Sequence, residues 1–496
     1  MKKVLGIDIG TSSAKALIVD ESGRMLGSGS KNYSLHFPGK FQVEQDPETW
    51  WKAVSQAIGI ALQEAKTSGN EISALSFSGQ MHGMVAIDRK RRLLGNAIIH
   101  LDQRSSGELA EIRALAGDLM RTELLNLPSA GMMLATVYWM KKHMPKRYEA
   151  LDYVLSPKDY IRMRFCGEIG TEYTDAGATL GFSVKNRVWC SELFRRLGLR
   201  EDIWPQVYES SAIAGQVTEE AARATGLSQK TVVIYGAGDS MAALTGNGVI
   251  EKGVMACNIG TSSQLAVVSD VPIFDPQLRI QTWCHTVKER WVVQSGTLNG
   301  GNALRWLRDQ IFRDQRPYAE LDRAAGTVAP TAEGLVFIPY LVGERTPYDD
   351  PMAKGVYFGL SMKHTQEHMI RATMEGILFN LKECLEIMDE LQVEHKLLIS
   401  SGGAARGETW KQIQADMLDM PVHTTVVEEE ACLGAAILAF VGIGVFSDVS
   451  EACKILVKLS DHVTQPIAAN VRMYREKQSL FHELYHRVKD LFPQTK

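Results

Sequence analysis

The chain is short of cysteine and shows no cysteine pair at metal-ligand spacing. Its seven cysteines (Cys166, Cys190, Cys257, Cys284, Cys384, Cys432 and Cys453) are scattered and odd in number. That pattern excludes a disulfide framework and a structural zinc site. No apolar run reaches bilayer-spanning length. The longest, Cys432–Phe446, is rich in Gly and Ala and reads as a closely packed buried helix and turn. Charge of one sign is also lacking. A net charge of −4 gives no footing for nucleic acid or for an anionic membrane surface. The polybasic runs are short, and Arg89-Lys90-Arg91-Arg92 reads as the cap of a hairpin turn beside Asp88. Low-complexity segments and Pro/Ser linkers are absent. Lys2-Lys3 followed by a few apolar residues does not read as a secretory signal, so the cytoplasm is the expected location.

What remains is an ordinary globular composition, 45% hydrophobic and 23% charged over 496 residues. That length exceeds what one core supports, so two or three domains are expected. The most informative feature is a repeat. Ile-Gly-Thr-Ser-Ser occurs at Ile9–Ser13 and again at Ile259–Ser263, each time between two apolar, strand-like runs. A glycine-led turn with small hydroxylated residues lets backbone N–H groups and hydroxyls approach phosphate oxygens. An ordinary hairpin tip has the same local composition. Asp8, directly before the first copy, and the matching strand frames favour a pair of phosphate clamps. That is the plan of an actin-like, two-lobed ATP-handling protein.

The order of elements agrees. Two strands flank the first turn, a third covers Met25–Tyr33, and a helix begins at Asp46-Pro47 and runs to about Lys66. A strand follows at Ile72–Phe77. Strand–strand–strand–helix–strand opens a ribonuclease-H-like lobe. The second half repeats it, with a strand at Arg290–Val293 and a helix from Gly300 to Ile311. Leu397-Leu398-Ile399 is a short strand leading into Gly402-Gly403 and then a helix through Trp410. Residues 100–230 read as a large insertion into the first lobe. The fold class is therefore α/β, two actin-like lobes around a central cleft, with domains at 1–246 and 247–496.

The motifs, in order, are Gly6-Ile7-Asp8-Ile9-Gly10-Thr11-Ser12, Ser78-Gly79-Gln80-Met81-His82-Gly83, Asp102-x-Arg104, Pro157-Lys158-Asp159-Tyr160 and Gly236-Ala237-Gly238-Asp239. Then come Gly260-Thr261-Ser262, Pro339–Pro347 with Gly343-Glu344-Arg345, Ser401–Arg406, and Cys432-Leu433-Gly434-Ala435-Ala436. Together they resemble the FGGY carbohydrate kinases over essentially the whole chain. Gln-Met-His-Gly is the string associated with the branch that phosphorylates xylulose. The resemblance implies ATP-dependent phosphorylation of a ketopentose, with D-xylulose first, and Mg²⁺ as the partner of ATP. It also implies a homodimer as a possible assembly. Another ketose or polyol on the same fold stays open, as does an actin- or Hsp70-like conformational switch. Two departures stand out. His100 occupies the place of a family Trp on the sugar side, and Gly402–Gly407 lacks the family's extra Gly and Ser.

Residue roles follow. Asp239 ends an apolar strand on a glycine turn and precedes a helical pattern, so it is the candidate base, with the helix dipole expected to keep it ionised. An N-cap role is its alternative. Asp8 is the candidate Mg²⁺ ligand, with Asp239 facing the same cleft from the other end of the first sheet. Gly10, Thr11 and Ser12 are placed at the γ-phosphate, Gly260 and Thr261 at the inner phosphates, and Gly403 and Ala404 at the ribose or adenine end. By resemblance Gly301 and Arg305 also lie near the nucleotide. Met81, His82 and Asp102 are the sugar-side candidates, Asp102 having an ion pair with Arg104 as its alternative. Glu344-Arg345 is expected to be a structural pair, and Trp50, Trp51 and Trp410 are expected in the core.

Overall fold

The computed structural model describes residues 1–427 and 429–495. β1 (Lys3–Ile9) and β2 (Ser13–Asp20) pair antiparallel around the first Gly-Thr-Ser tip, and β3 (Met25–Asn32) extends the ribbon. α1 (Pro47–Glu64) starts where the Asp46 side chain accepts the Glu48 N–H at 3.0 Å. β4 (Ile72–Gly79) then returns parallel to β1. The insertion follows and contains α2 (Pro157–Cys166) and the short α3 (Tyr173–Ala178). Ser156 precedes α2 without a side-chain capping bond. β5 (Ile213–Gln216) and β6 (Val232–Ile234) complete a sheet of order β5-β6-β4-β1-β2-β3, to which Ala237–Gly238 adds beside β4. α4 (Asp239–Gly246) leaves from that edge.

The second half repeats the pattern with β7 (Val254–Ile259), β8 (Ser263–Ser269), β9 (Gln281–Cys284) and β10 (Trp291–Thr297). α5 (Gly301–Trp306) is shorter than the sequence suggests, because the chain widens into a π-helical turn over Leu307–Phe312. β11 (Leu397–Gly402), α6 (Glu408–Leu418), β12 (Val422–Thr424) and α7 (Glu430–Gly442) follow. The second sheet has the order β9-β10-β8-β7-β11-β12. Its β10-β8-β7-β11-β12 core has the same order and strand directions as β3-β2-β1-β4-β6 in the first.

α7 does not stay with the second sheet. It packs on β1, β4 and α4. Close approach requires bare backbone: a Cβ on Gly434 would lie 1.9 Å from the Ala242 carbonyl oxygen, and one on Gly6 would lie 2.0 Å from that of Cys432. One apolar cluster runs from Val4 through Met241 in α4 and Ile437 in α7 to Ala256, Val268 and Ile399 on the second sheet. The two halves of the chain thus share a core. Trp50, Trp51 and Trp410 are buried, as expected for helix-face residues.

Candidate functional site

The first Gly-Thr-Ser tip is held from behind. Tyr33 Oη donates to the Gly10 carbonyl at 2.5 Å, and Gln45 Nε2 donates to that of Thr11 at 2.8 Å. Gln80 Nε2 in turn donates to Gln45 Oε1 at 2.9 Å. Gly10, Thr11 and Ser12 therefore sit on a fixed turn at the carboxyl end of β1, the end of an α/β sheet where ligands bind.

Asp8 is the penultimate residue of β1, and Ser78 Oγ donates to its Oδ1 at 2.6 Å. Burial raises its pKa, the Ser78 hydrogen bond opposing. Asp239 opens α4 and accepts the Ser240 N–H on Oδ1 at 2.7 Å. The two acids are not at opposite ends of the sheet. β4 separates them: Asp8 pairs with Ser78 on one side, while Ala237 and Gly238 pair with Ser78 and Gly79 on the other. The consequence is mutual repulsion. Burial first, then the Asp8 charge, push Asp239 up to about 7. The α4 dipole does not offset desolvation beside a second carboxylate, so Asp239 is held well above the usual carboxylate range.

Asp239 is not walled off. It opens on a crevice of about 230 Å³ between the halves, lined also by Ser240, Asn258, Gln264, Ser401 and Glu430. Among the described residues no group of three or more His, Cys, Asp or Glu is arranged to hold a metal by itself. Lys15 attracts Asp8 but pairs with Glu429, and among the described residues no cation lies within ion-pair distance of either carboxylate; two acids so placed fit a divalent ion that takes its remaining ligands from phosphate and water.

A cavity of about 450 Å³ lies on the second sheet. Gly260 and Thr261, Gly301 and Arg305, and Gly403 and Ala404 line it from three separate segments. The Gly301 N–H donates to the Gly260 carbonyl at 2.7 Å, which ties α5 to the second Gly-Thr-Ser tip. Gly402-Gly403 does not open a helix directly; a 3-10 turn, Gly403–Arg406, intervenes before α6. Tyr318, Asp322 and Trp410 also line the cavity. Trp410 is thus both core and wall. The sequence offered no local signal for Tyr318 or Asp322, which sit on an ordinary amphipathic helix.

A third cavity, about 250 Å³, is built from both halves. Met81 and His82 enter from the turn after β4, Ser240 and Met241 from α4, and Gln281, Trp283, Gln294 and Arg345 from the second half. Ser240 borders this cavity and the Asp239 crevice alike. His82 takes a left-handed backbone (φ 71°), and its Nδ1 lies 2.8 Å from the Ala178 carbonyl oxygen. A carbonyl only accepts, so Nδ1 carries the proton. Burial lowers the His82 pKa and keeps the ring neutral, which leaves Nε2 as an acceptor. His100 also lines the cavity, and its buried Nδ1 has no partner among the described residues. Burial, then His82, lower its pKa to about 4.

Two expectations fail here. Asp102 does not face the cavity. Its oxygens are occupied by Arg104 Nε at 2.9 and 3.0 Å, the Arg104 N–H at 2.9 Å and the Val43 N–H at 2.7 Å. The ion pair is its role, because a buried carboxylate needs every lone pair satisfied. Glu344 and Arg345 do not pair through their side chains. Glu344 accepts the Leu298 and Arg345 N–H groups and the Asn299 and Asn380 amides. The Arg345 guanidinium turns away, donates Nε–H to the Gly296 carbonyl at 2.9 Å, and lines the sugar-sized cavity. Sequence reading missed it because an adjacent Glu-Arg looks self-satisfied.

Residues 3–246 match the N-terminal domain of the FGGY family of carbohydrate kinases, and residues 255–443 match its C-terminal domain. The chain is 32% identical over 491 residues to a xylulose kinase of Bacillus subtilis (strain 168), covering 99% of this chain and 98% of that one. It superposes on a ligand-bound xylulose kinase from Lactobacillus acidophilus with a TM-score of 0.92 at 26% identity, over the whole of both chains. A gluconate kinase from the same organism gives a TM-score of 0.92 at 25% identity, again over both whole chains.

Proposed function

We propose that this chain, which belongs to the FGGY family of carbohydrate kinases, transfers the γ-phosphoryl group of ATP to a terminal hydroxyl of D-xylulose. The observation that carries the reading is the shared border at Ser240: a cavity of sugar size opens beside the crevice that holds Asp239. His82 Nε2 accepts one sugar hydroxyl, Met81 packs on the carbon skeleton, and His100 supplies a second polar contact. Asp239 receives the proton of the attacking hydroxyl, and its pKa near 7 suits a group that must gain and lose a proton at neutral pH. Gly10, Thr11 and Ser12 face the γ-phosphate and Gly260 and Thr261 the inner phosphates. Gly301, Arg305, Gly403 and Ala404 hold the nucleoside end. Asp8 and Asp239 would hold Mg²⁺, which would screen the phosphate charge.

The unit 1–246 then supplies the base, the γ-phosphate turn and the sugar contacts Met81, His82 and His100, while 247–496 supplies the inner-phosphate and nucleoside contacts and the far wall of the sugar cavity. No helix among the described residues is long and apolar enough to cross a membrane. The cytoplasm, where ATP is made available to sugar kinases, is the proposed location, and a homodimer is the proposed assembly by resemblance to the family.

A second reading has one specific observation behind it. Arg345 lines a cavity that no carboxylate lines, and no acid lies within ion-pair distance of it among the described residues. An aldonate would place its carboxylate there. ADP release measured with ketopentoses, polyols and aldonates tests both. D-xylulose as the best substrate by kcat/KM supports the first reading, and an aldonate as the best replaces it.

A further inference from the structure

Behind the strand edge that carries Asp239, five charged side chains are sealed from solvent: Lys158, Asp159, Arg162, Glu172 and Asp175. Such residues are almost never fully buried unless paired, and a buried ion cluster stabilises a fold less than apolar residues of equal volume would. None of the five lines the nucleotide-sized or sugar-sized cavity. Their arrangement is directional. Lys158 Nζ lies 2.8 Å from Asp159 Oδ1, 3.1 Å from Asp175 Oδ2 and 3.3 Å from Glu172 Oε1. Glu172 accepts the Thr174 N–H and hydroxyl, both at 2.7 Å, the Asp175 N–H at 3.0 Å and the Ser210 hydroxyl at 2.9 Å. A carboxylate only accepts, so the single hydroxyl proton of Thr174 is committed to it. The lone pairs of Thr174 Oγ1 are left for the Gly238 N–H, which donates to it at 2.8 Å. Gly238 directly precedes Asp239.

The other end of the same short helix holds the sugar side. The carbonyl of Ala178, the last residue of α3, takes the His82 Nδ1–H. α3 is thus a bar with the base fastened at its first turn and the sugar contact at its last.

We propose that Lys158, Glu172 and Thr174 form a positioning network that fixes the place of Asp239 relative to His82, acting through the Gly238 N–H. The proposal rests on the reading of Asp239 as base and His82 as sugar contact. Lys158 Nζ lies against the same Glu172 oxygen that takes the Thr174 hydroxyl, Glu172 orients that hydroxyl, and Thr174 pins the backbone one residue ahead of the base. A base displaced by about 1 Å loses on the order of a hundredfold in rate.

Thr174→Val is the test, since it keeps shape and removes the hydroxyl. The variant should lose about ten- to a hundredfold in kcat while its affinity for ATP, measured by calorimetry, stays within twofold. Thr174→Ser should recover most of the rate. Wild-type kcat in the valine variant overturns the proposal. So does ATP affinity that falls in step with kcat, or a serine variant as impaired as the valine one, since each signals a general packing defect. If the valine variant does not accumulate as folded protein, Thr174→Ala carries the same expectations. Asp239→Asn, assayed alongside, tests the premise separately: if it keeps its rate, the base assignment falls, whatever the Thr174 variants do.

Discussion

Asp8 and Asn258 occupy equivalent positions in the two sheets. Each is the residue before the isoleucine that leads into a Gly-Thr-Ser tip, and each pairs across a parallel ladder with a serine, Ser78 or Ser401. Ser78 Oγ donates to Asp8 at 2.6 Å, whereas Asn258 Nδ2 donates to Ser401 Oγ at 2.8 Å. The geometry is duplicated and the charge is not. One side of the cleft repels phosphate unless a cation intervenes; the other does not.

Restoring the symmetry should harm nucleotide binding. Asn258→Asp adds a carboxylate beside the second tip and should weaken ATP binding by about tenfold or more. Calorimetric titration checks this, with Asn258→Ser as the neutral control expected within a few fold of wild type.

Removing the base should separate chemistry from binding. Asp239→Ala is expected to reduce phosphoryl transfer by about 10²–10⁴-fold while ATP affinity stays within a few fold. Loss of both together would assign Asp239 to nucleotide binding instead.

Asp239, pushed up to about 7, sets a pH profile for the free enzyme, the state to which kcat/KM refers. The base form is deprotonated, so kcat/KM should rise with pH and level off above about 7. Stability runs the other way. The folded-state pKa lies above the unfolded value of 3.8, so between these limits the native state binds more protons and becomes less stable as pH rises. Asp239→Asn should flatten that slope and melt higher than wild type at pH 8, read by thermal denaturation.

His100 is neutral near pH 7 and has an unpartnered ring nitrogen at the cavity wall. His100→Ala should raise KM for the sugar by about fivefold, the worth of one hydrogen bond, with KM for ATP unchanged. Steady-state kinetics with each substrate varied in turn decides it.

The helix crossing has no room for a methyl group. Gly434→Ala should destabilise the protein by about 1–3 kcal/mol, since its Cβ would meet the Ala242 carbonyl oxygen at 1.9 Å. Urea denaturation gives the value.

The strand frames, the two tips and the α/β class were legible because each follows from local pattern: period-two apolar runs, glycine turns and the Asp46-Pro47 helix start. The placement of Gly260, Gly301 and Gly403 around one cavity was legible only through resemblance, since nothing local brings three segments together. Asp102 pairs with nearby Arg104, the alternative already open in the sequence, and the Val43 N–H completes its partners. Arg345 was misread because its partner, the Gly296 carbonyl, is distant in sequence. The Asp239 pKa was misjudged likewise, because its chief charged neighbour, Asp8, comes from a strand more than 200 residues earlier.

α7 lies near the end of the chain yet covers the first sheet. On a ribosome, about 200 residues must still be made after α4 before that cover exists, which at about 5–20 residues per second is ten seconds or longer. Throughout that interval the nascent amino-terminal half carries a bare apolar face. Its maturation should therefore depend on chaperone binding, and a gene split after residue 246 should yield two fragments that are soluble only when made together.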